Sequence, residues 1–380
     1  MNASQSLRGK YVVAGIGHTA FGSLPDRSTI SLNVEACSLA LSDAGLSGSE
    51  VDAVFVKYPT STFEPMYGQK LAEALGMQPR VGGVWDQGGA ANISQISFAC
   101  LSIEAGLCDV ALVSFADNPK SGTRQAYSRP RGEDAPYGWF GIPAGYAMIA
   151  RRHMEEFGTT SQQLAEVAVA CRANGARNPH AQLRSPITIA DHQASPWIVE
   201  PLHRDDCCLV SDGGAAVVVM SARRARELGV PQPVPILGFG QGQTSWEVAQ
   251  RPLLTETCAK SSAQTAFAMA GIGPQNIDVA ELYDCFTIVV LMTLEDYGFC
   301  AKGEGGRFIE GGRLALGGDL PINTSGGLLS ETGMPGMQHV LEGVRQIRGS
   351  SVNQVADAGI AVVSNQGGIM HTHSTLVLGG

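Results

Sequence analysis

One order of strand, glycine and helix occurs twice along this chain, and it restricts the fold more than any other feature. Residues 11–17 (YVVAGIG) read as a buried strand running into glycines. Residues 31–46 (SLNVEACSLALSDAGL) carry apolar side chains at helical spacing, with Gly45 placed to cap the C-terminus. VDAVFVKY (51–58) reads as the next strand, residues 92–106 as a helix stopped by Gly106, and DVALVSFA (109–116) as another buried strand. The order returns in VPILGFG (234–240), the Ala-rich helix SAQTAFAMAGIG (262–273), the strand IDVAELYD (277–284), HVLEGVRQIRG (339–349) and GIAVVSN (359–365). Gly15 matches Gly238 and Ala44 matches Ala270 at nearly the same offset. Alternating strands and helices predict an α/β fold of sheets covered by helices. The repetition predicts two like halves, residues 1–225 and 226–380. Residues from about 118 to 205 break the pattern, being rich in Pro, Arg, His and aromatics. They read as a loop domain inserted in the first half, where substrate contacts on a rigid scaffold are expected.

Composition excludes several classes of function. With 44% hydrophobic residues and 47 glycines in 380, the chain has ample core and many tight turns. A formal net charge of -9 argues against nucleic acid as a partner. The nine cysteines include no CxxC pair, so neither a disulfide framework nor a zinc site is expected. No stretch has the roughly 18 consecutive apolar residues of a membrane span, and no secretory leader is apparent, so the expected compartment is the cytoplasm. The glycines of GFGQG (238–242) lack the spacing and the Lys of a nucleotide loop.

Six stretches carry a resemblance to a known family: NPHAQ (178–182), CCLVSDGGAAVVVMS (207–221), ELYDCF (281–286), LEDYGFCAKGEGG (294–306), LPINTSGGLLSE (320–331) and SNQGGIMHTHSTLVLG (364–379). In this order they resemble the thiolase superfamily, particularly its sterol-carrier-protein-type thiolases and lipid-transfer-protein-like aldolases. The resemblance implies a five-layered αβαβα fold and a homodimer formed through the first half. It implies an active site at helix N-termini and loops where the halves meet, and an acyl-CoA thioester as substrate with no further cofactor. It also implies a small zinc-ribbon/OB-fold partner protein.

The resemblance breaks at the reacting groups. A thiolase needs a Cys at a helix N-terminus, where the dipole lowers its pKa, a His in a G-H-P turn, and a second acid/base near the C-terminal glycines. Here WDQGGAANISQISFAC (85–100) puts Gly89 at or beside the position of the thiol, with Cys100 deep in the helix. TGMPG (332–336) has Met334 where the His would stand, and the C-terminal position reads Ser364, then Asn365. Other residues are candidates for a different reaction. Tyr283 takes the place of the residue that helps bind the thioester oxygen. Its phenol can donate to an oxyanion or take a proton from an alcohol, and the plainer alternative is a strand-end Tyr with a satisfied hydroxyl. Glu331 closes NTSGGLLSE. In a narrow pocket its pKa would rise and it could act as base, although aldolases of this branch often carry a Tyr near this point. Its other reading is an acid near a helix N-terminus. Asn323, Gly326 and Gly327, and likewise Asn365, Gly367 and Gly368, read as turns that place N–H donors at an oxyanion. His371 and His373 alternate at the start of the last strand and share a face. His373 is the third catalytic candidate, and no third ligand suggests a metal.

Three functional readings follow. The first is a carbon–carbon lyase performing retro-aldol cleavage of a β-hydroxyacyl-CoA of the steroid-side-chain type, which needs a base and an oxyanion site but no thiol. The second is an acetyl-CoA acyltransferase using a displaced thiol such as Cys285. The third is a non-catalytic acyl-CoA-binding subunit.

Overall fold

The computed structural model describes residues 6–123, 136–139, 141–334 and 336–380. Nine strands form one continuous sheet: β1 (Tyr11–His18), β2 (Ala53–Lys57), β3 (Val81–Trp85), β4 (Val110–Asp117), β5 (Gly213–Ser221), β6 (Val234–Gln243), β7 (Val279–Glu281), β8 (Ile360–Gly367) and β9 (Thr372–Gly379). Their order is β3-β2-β4-β5-β1-β6-β9-β8-β7. The two parts of that order repeat one set of relations. In the first half, β1 pairs antiparallel with β5 and β5 with β4, β4 pairs parallel with β2, and β2 with β3. In the second, β6 pairs antiparallel with β9 and β9 with β8, β8 pairs parallel with β7, and Ala280 of β7 bridges in parallel to Ile322. A short antiparallel pairing of Tyr11–Val13 with Val234–Ile236 stitches the two together.

The helices that position the site are α1 (Thr29–Ala44), α2 (Tyr67–Ala74), α3 (Ala91–Glu104), α4 (Gly141–Phe157), α5 (Ser161–Arg177), α6 (Ala259–Ala270), α7 (Thr287–Tyr297) and α8 (Met337–Arg348). Three apolar clusters show the layering. Leu32, Ala36 and Ala40 of α1 pack on Val12, Val54 and Val218. Ile93 and Ile96 of α3 and Val340 and Leu341 of α8 pack on Val113, Val217, Val363 and Leu376. Ala263 and Phe267 of α6 and Leu291 of α7 pack on Leu282, Val362 and Val377. Neighbouring strand residues such as Val217 and Val218 therefore serve opposite faces, as strand alternation requires. The result is the five-layered arrangement, with α3 and α8 in the middle.

Close approach explains the matching glycines. A Cβ on Gly15 or Gly17 would run into the α1 backbone at Ala40 and Ala36, and one on Gly238 or Gly240 into the α6 backbone at Ala266 and Ser262. Helix ends follow their capping residues. Ser28 Oγ accepts from Ser31 N at 3.1 Å, a contact worth about 1 kcal/mol, and Gly45 closes α1 at φ 70.

β4, which carries DVALVSFA, lies inside the sheet between β2 and β5, so the first half's edge is the short strand β3. One expectation needs correction. The strand expected over 277–284 stops at Glu281, because both amide atoms of Asn323 clamp the Leu282 backbone, accepting from its N at 2.7 Å and donating to its O at 2.8 Å. Of the expected insert, residues 124–135 and 140 lie outside the described residues. The rest holds α4, α5, a short helix (Ile189–Ala194) and a hairpin, Trp197–Val199 with Leu202–His203.

Candidate active site

Two helices, one from each half, bring unadorned N-termini to the middle layer. α3 starts after Ala90 and α8 after Gly336, and no side chain caps either end. Their uncapped ends and dipoles favour negative charge. Between them lies Tyr283, 7% exposed at the end of β7. Its hydroxyl stands against Gly89 so closely that a Cβ there would overlap the phenol oxygen and the Gln366 carbonyl. The phenol therefore fills the space a nucleophilic side chain at position 89 would need. Tyr283 N donates to Ser364 Oγ at 3.1 Å, and the Asn323 clamp on Leu282 fixes the preceding residue.

Alternation in the last two strands sorts the remaining candidates. Thr372 and Ser374 face the loop before α3, donating to the carbonyls of Gln87 (2.9 Å) and Ala90 (2.8 Å). His373 points the other way, with Nε2 2.9 Å from the Tyr297 hydroxyl. Burial pushes its pKa down to about 3, so it stays neutral in an outer-layer network. His373 is thus withdrawn as a catalytic group. His371 sits in the preceding turn, Nδ1 2.8 Å from Arg251 Nη2. Asn365 faces the middle layer, fully buried against Gly336, and among the described residues neither its amide N nor its O has a hydrogen-bond partner. Buried polar groups are nearly always satisfied, so an amide idle beside a helix N-terminus is suited to a ligand oxygen.

The glycine candidates serve structure first. A Cβ on Gly367 would strike the Gln87 carbonyl, and one on Gly88 would strike Gly367. Gly368, at φ 66, turns the chain beneath the His371 ring. These residues let two backbones touch and so hold Gly89 in place. Asn323, at φ 44, Gly326 and Gly327 build a cradle for Asp284, whose carboxyl accepts from the Leu328 and Leu329 amides at 2.8 and 3.2 Å. Because the Asn323 amide is spent on Leu282, this turn positions Tyr283 rather than donating to an oxyanion. α5 supports it from outside, Arg172 Nε donating to Ser330 Oγ at 3.1 Å.

Glu331 is also displaced from the expected role. It is 1% exposed and accepts from Ser325 Oγ at 2.6 Å and Asn178 Nδ2 at 3.3 Å, packed behind the Asp284 turn rather than against Tyr283. Burial raises its pKa from 4.5 to about 7, partly offset by Arg345. A raised carboxyl pKa means the folded state holds the proton more tightly, so this stability is complete below pH ~4.5 and lost as pH rises to ~7. The loss is about 3 kcal/mol. Urea midpoints at pH 5 and pH 8 should therefore show Glu331→Gln less pH-sensitive than the parent and the more stable of the two at pH 8. Equal pH dependence in both proteins would remove Glu331 as the source.

No thiol replaces the missing one. Cys285 is raised well above its ordinary pKa by burial and by Cys208, and its sulfur lies 3.1 Å from Gln366 Nε2. Burial likewise raises Cys208 to about 12 and Cys258 to about 11. Thiols in such surroundings are inert. Among the described residues no three His, Cys, Asp or Glu side chains are grouped to hold a metal, and no helix is long and apolar enough to cross a membrane.

The duplicated layers and paired helix N-termini define a thiolase-type scaffold with a phenol where the thiol would stand. Residues 240–380 match the family model described as thiolase C-terminal domain-like. The chain is 40% identical to a steroid side-chain-cleaving aldolase of Thermomonospora curvata, over 98% of each protein. It is 38% identical to a 17-hydroxy-3-oxo-4-pregnene-20-carboxyl-CoA lyase of Mycobacterium tuberculosis, over 98% of this chain and 100% of that one. The solved structure of an Ltp2-ChsH2(DUF35) aldolase superposes with a TM-score of 0.90 at 38% identity, over 98% of each chain. The chain belongs to the thiolase superfamily, in the branch of its side-chain-cleaving aldolases.

Proposed function

We propose that this enzyme cleaves a β-hydroxyacyl-CoA by retro-aldol reaction. The observation that carries the reading is the Tyr283 hydroxyl filling the nucleophile's space at Gly89. A base takes the β-hydroxyl proton, the Cα–Cβ bond breaks, a carbonyl forms at the β-carbon, and the electron pair passes into the thioester as an enolate. Tyr283 donates to that enolate oxygen and supplies the proton the α-carbon needs. The Asn365 amide and the N-terminal dipoles of α3 and α8 stabilise the same developing charge. No step passes through an acyl-enzyme.

The relatives' steroid substrates support an acyl group of steroid type. So does a mostly apolar groove of about 680 Å³, lined by Trp139, Ala147, Met148, Val199 and Leu254 and also by Arg151, Arg152, Glu155 and Glu200. Its helix α4 turns Tyr146 inward, to stack on Phe286 at 4.3 Å and donate to the Gly368 carbonyl. The Ltp2-ChsH2(DUF35) aldolase supports a small partner chain, which we propose is the zinc-ribbon/OB-fold protein the family resemblance implies; the β3 edge supports a homodimer, and the proposed compartment is the cytoplasm. A monodisperse monomer at micromolar concentration in light scattering would overturn the dimer.

The reaction is tested by supplying a β-hydroxyacyl-CoA and following both the thioester and the ketone. Cleavage without consumption of free CoA is expected, whereas thiolysis consumes it. Cys285→Ser and iodoacetamide-treated enzyme should keep most of the activity. A trapped acyl-cysteine in mass spectrometry would instead establish acyl transfer.

A further inference from the structure

The proposed cleavage needs a base for the hydroxyl, and the displacement of Glu331 and His373 leaves that place empty. Among the described residues, the middle layer holds a group suited to it. His339 lies in the first turn of α8, fully buried. Its Nε2 is 3.0 Å from Asp284 Oδ1, and Asp284 is itself fixed by the two backbone amides of Leu328 and Leu329. In the neutral ring this makes Nε2 the donor and leaves Nδ1 with a lone pair. Nδ1 is buried and, among the described residues, has no hydrogen-bond partner. The ring lies 6.2 Å, centre to centre, from that of Tyr283, and it shares the start of α8 with Gly336, against which the idle Asn365 amide packs. An imidazole with one nitrogen anchored on a carboxylate and the other unoccupied has the arrangement by which a third group orients a general base.

We propose that His339, oriented by Asp284, is the general base of the cleavage, an assignment that rests on the retro-aldol reading above. Its Nδ1 takes the β-hydroxyl proton as the Cα–Cβ bond breaks and the ketone forms. Tyr283 gives its proton to the α-carbon of the enolate and is restored by the proton His339 has gained. One proton thus moves from oxygen to carbon, and no oxidant or further reactant is consumed.

The test compares the full-length enzyme with His339→Gln, whose amide can still donate to Asp284 but cannot serve as a base. With a β-hydroxyacyl-CoA that the parent cleaves, kcat should fall by about 100-fold or more. The Kd for a non-cleavable acyl-CoA and the melting temperature should stay near the parent's. His339→Ala should be equally slow and should regain activity, saturably, on addition of imidazole. Retention of more than about a third of the parent's kcat by His339→Gln would overturn the assignment. So would a slow variant that has also lost acyl-CoA binding, combined with no imidazole rescue. Failure of the parent itself to cleave any β-hydroxyacyl-CoA would instead overturn the reaction, which separates the two outcomes.

Discussion

Replacing Tyr283 by Phe is expected to lower kcat by about 100- to 10,000-fold, or about 3 to 5 kcal/mol of transition-state stabilisation, while leaving the fold intact. The ring keeps its volume, and the contacts that place it run through the backbone: Tyr283 N to Ser364 Oγ, and the Asn323 clamp on Leu282. What disappears is one hydroxyl, aimed at the space in front of α3. Steady-state kinetics on a cleavable β-hydroxyacyl-CoA, with a thermal melt alongside, separates chemistry from stability. An unchanged kcat would remove Tyr283 from the reaction.

Gly89→Ala should be nearly as damaging, by a different route. The added methyl would have to share space with the Tyr283 hydroxyl and the Gln366 carbonyl. Gln366 is held in the β8–β9 ladder opposite His373, so the tyrosine gives way. Overpacking of this kind costs about 1–3 kcal/mol of stability, and displacing an acid by even an ångström costs about 100-fold in rate. The same crowding changes the outlook for Gly89→Cys. At the uncapped start of α3 a cysteine would be a thiol placed for acylation. In the structure it can enter only by evicting Tyr283. Activity retained by Gly89→Ala above about a tenth of the parent's would mean the phenol moves freely, and that its position is not what sets the rate.

The sequence made most of the scaffold legible because the scaffold is built from long, periodic elements with glycine stops. α1, α3, β1 and β4 all lie within a few residues of where alternation and helical spacing put them. β3 escaped because VGGVW is short and glycine-rich, with no clear alternation. α7 escaped because every residue from Thr287 to Tyr297 is buried, so no polar face marks its period. At the site, Gly89, Tyr283 and Asn365 come to the N-termini of α3 and α8. His373 and Glu331 do not, since chemical type says nothing about which face of a strand or turn a side chain takes. His339 was missed inside an ordinary-looking amphipathic helix. A signal was present: His339, Glu342 and Gln346 recur at helical spacing on the buried face of α8, where apolar residues belong. Polar residues on a face the pattern assigns to the core mark a buried network.

The paired glycines also explain why two halves so alike in architecture are so unlike in letters. After an internal duplication, each copy is free to drift wherever a neighbour can adjust, and the reacting centre has used that freedom. One copy's middle helix opens behind Gly89, while the other opens onto Asn365 and His339. Drift is barred where a strand backbone presses directly on a helix backbone, because no compensating change in a neighbouring side chain can make room there. Gly15 against Ala40 and Gly238 against Ala266 are such places. They keep the two halves alike in the residue with the least chemistry to offer, while the residues around the helix N-termini differ from one half to the other.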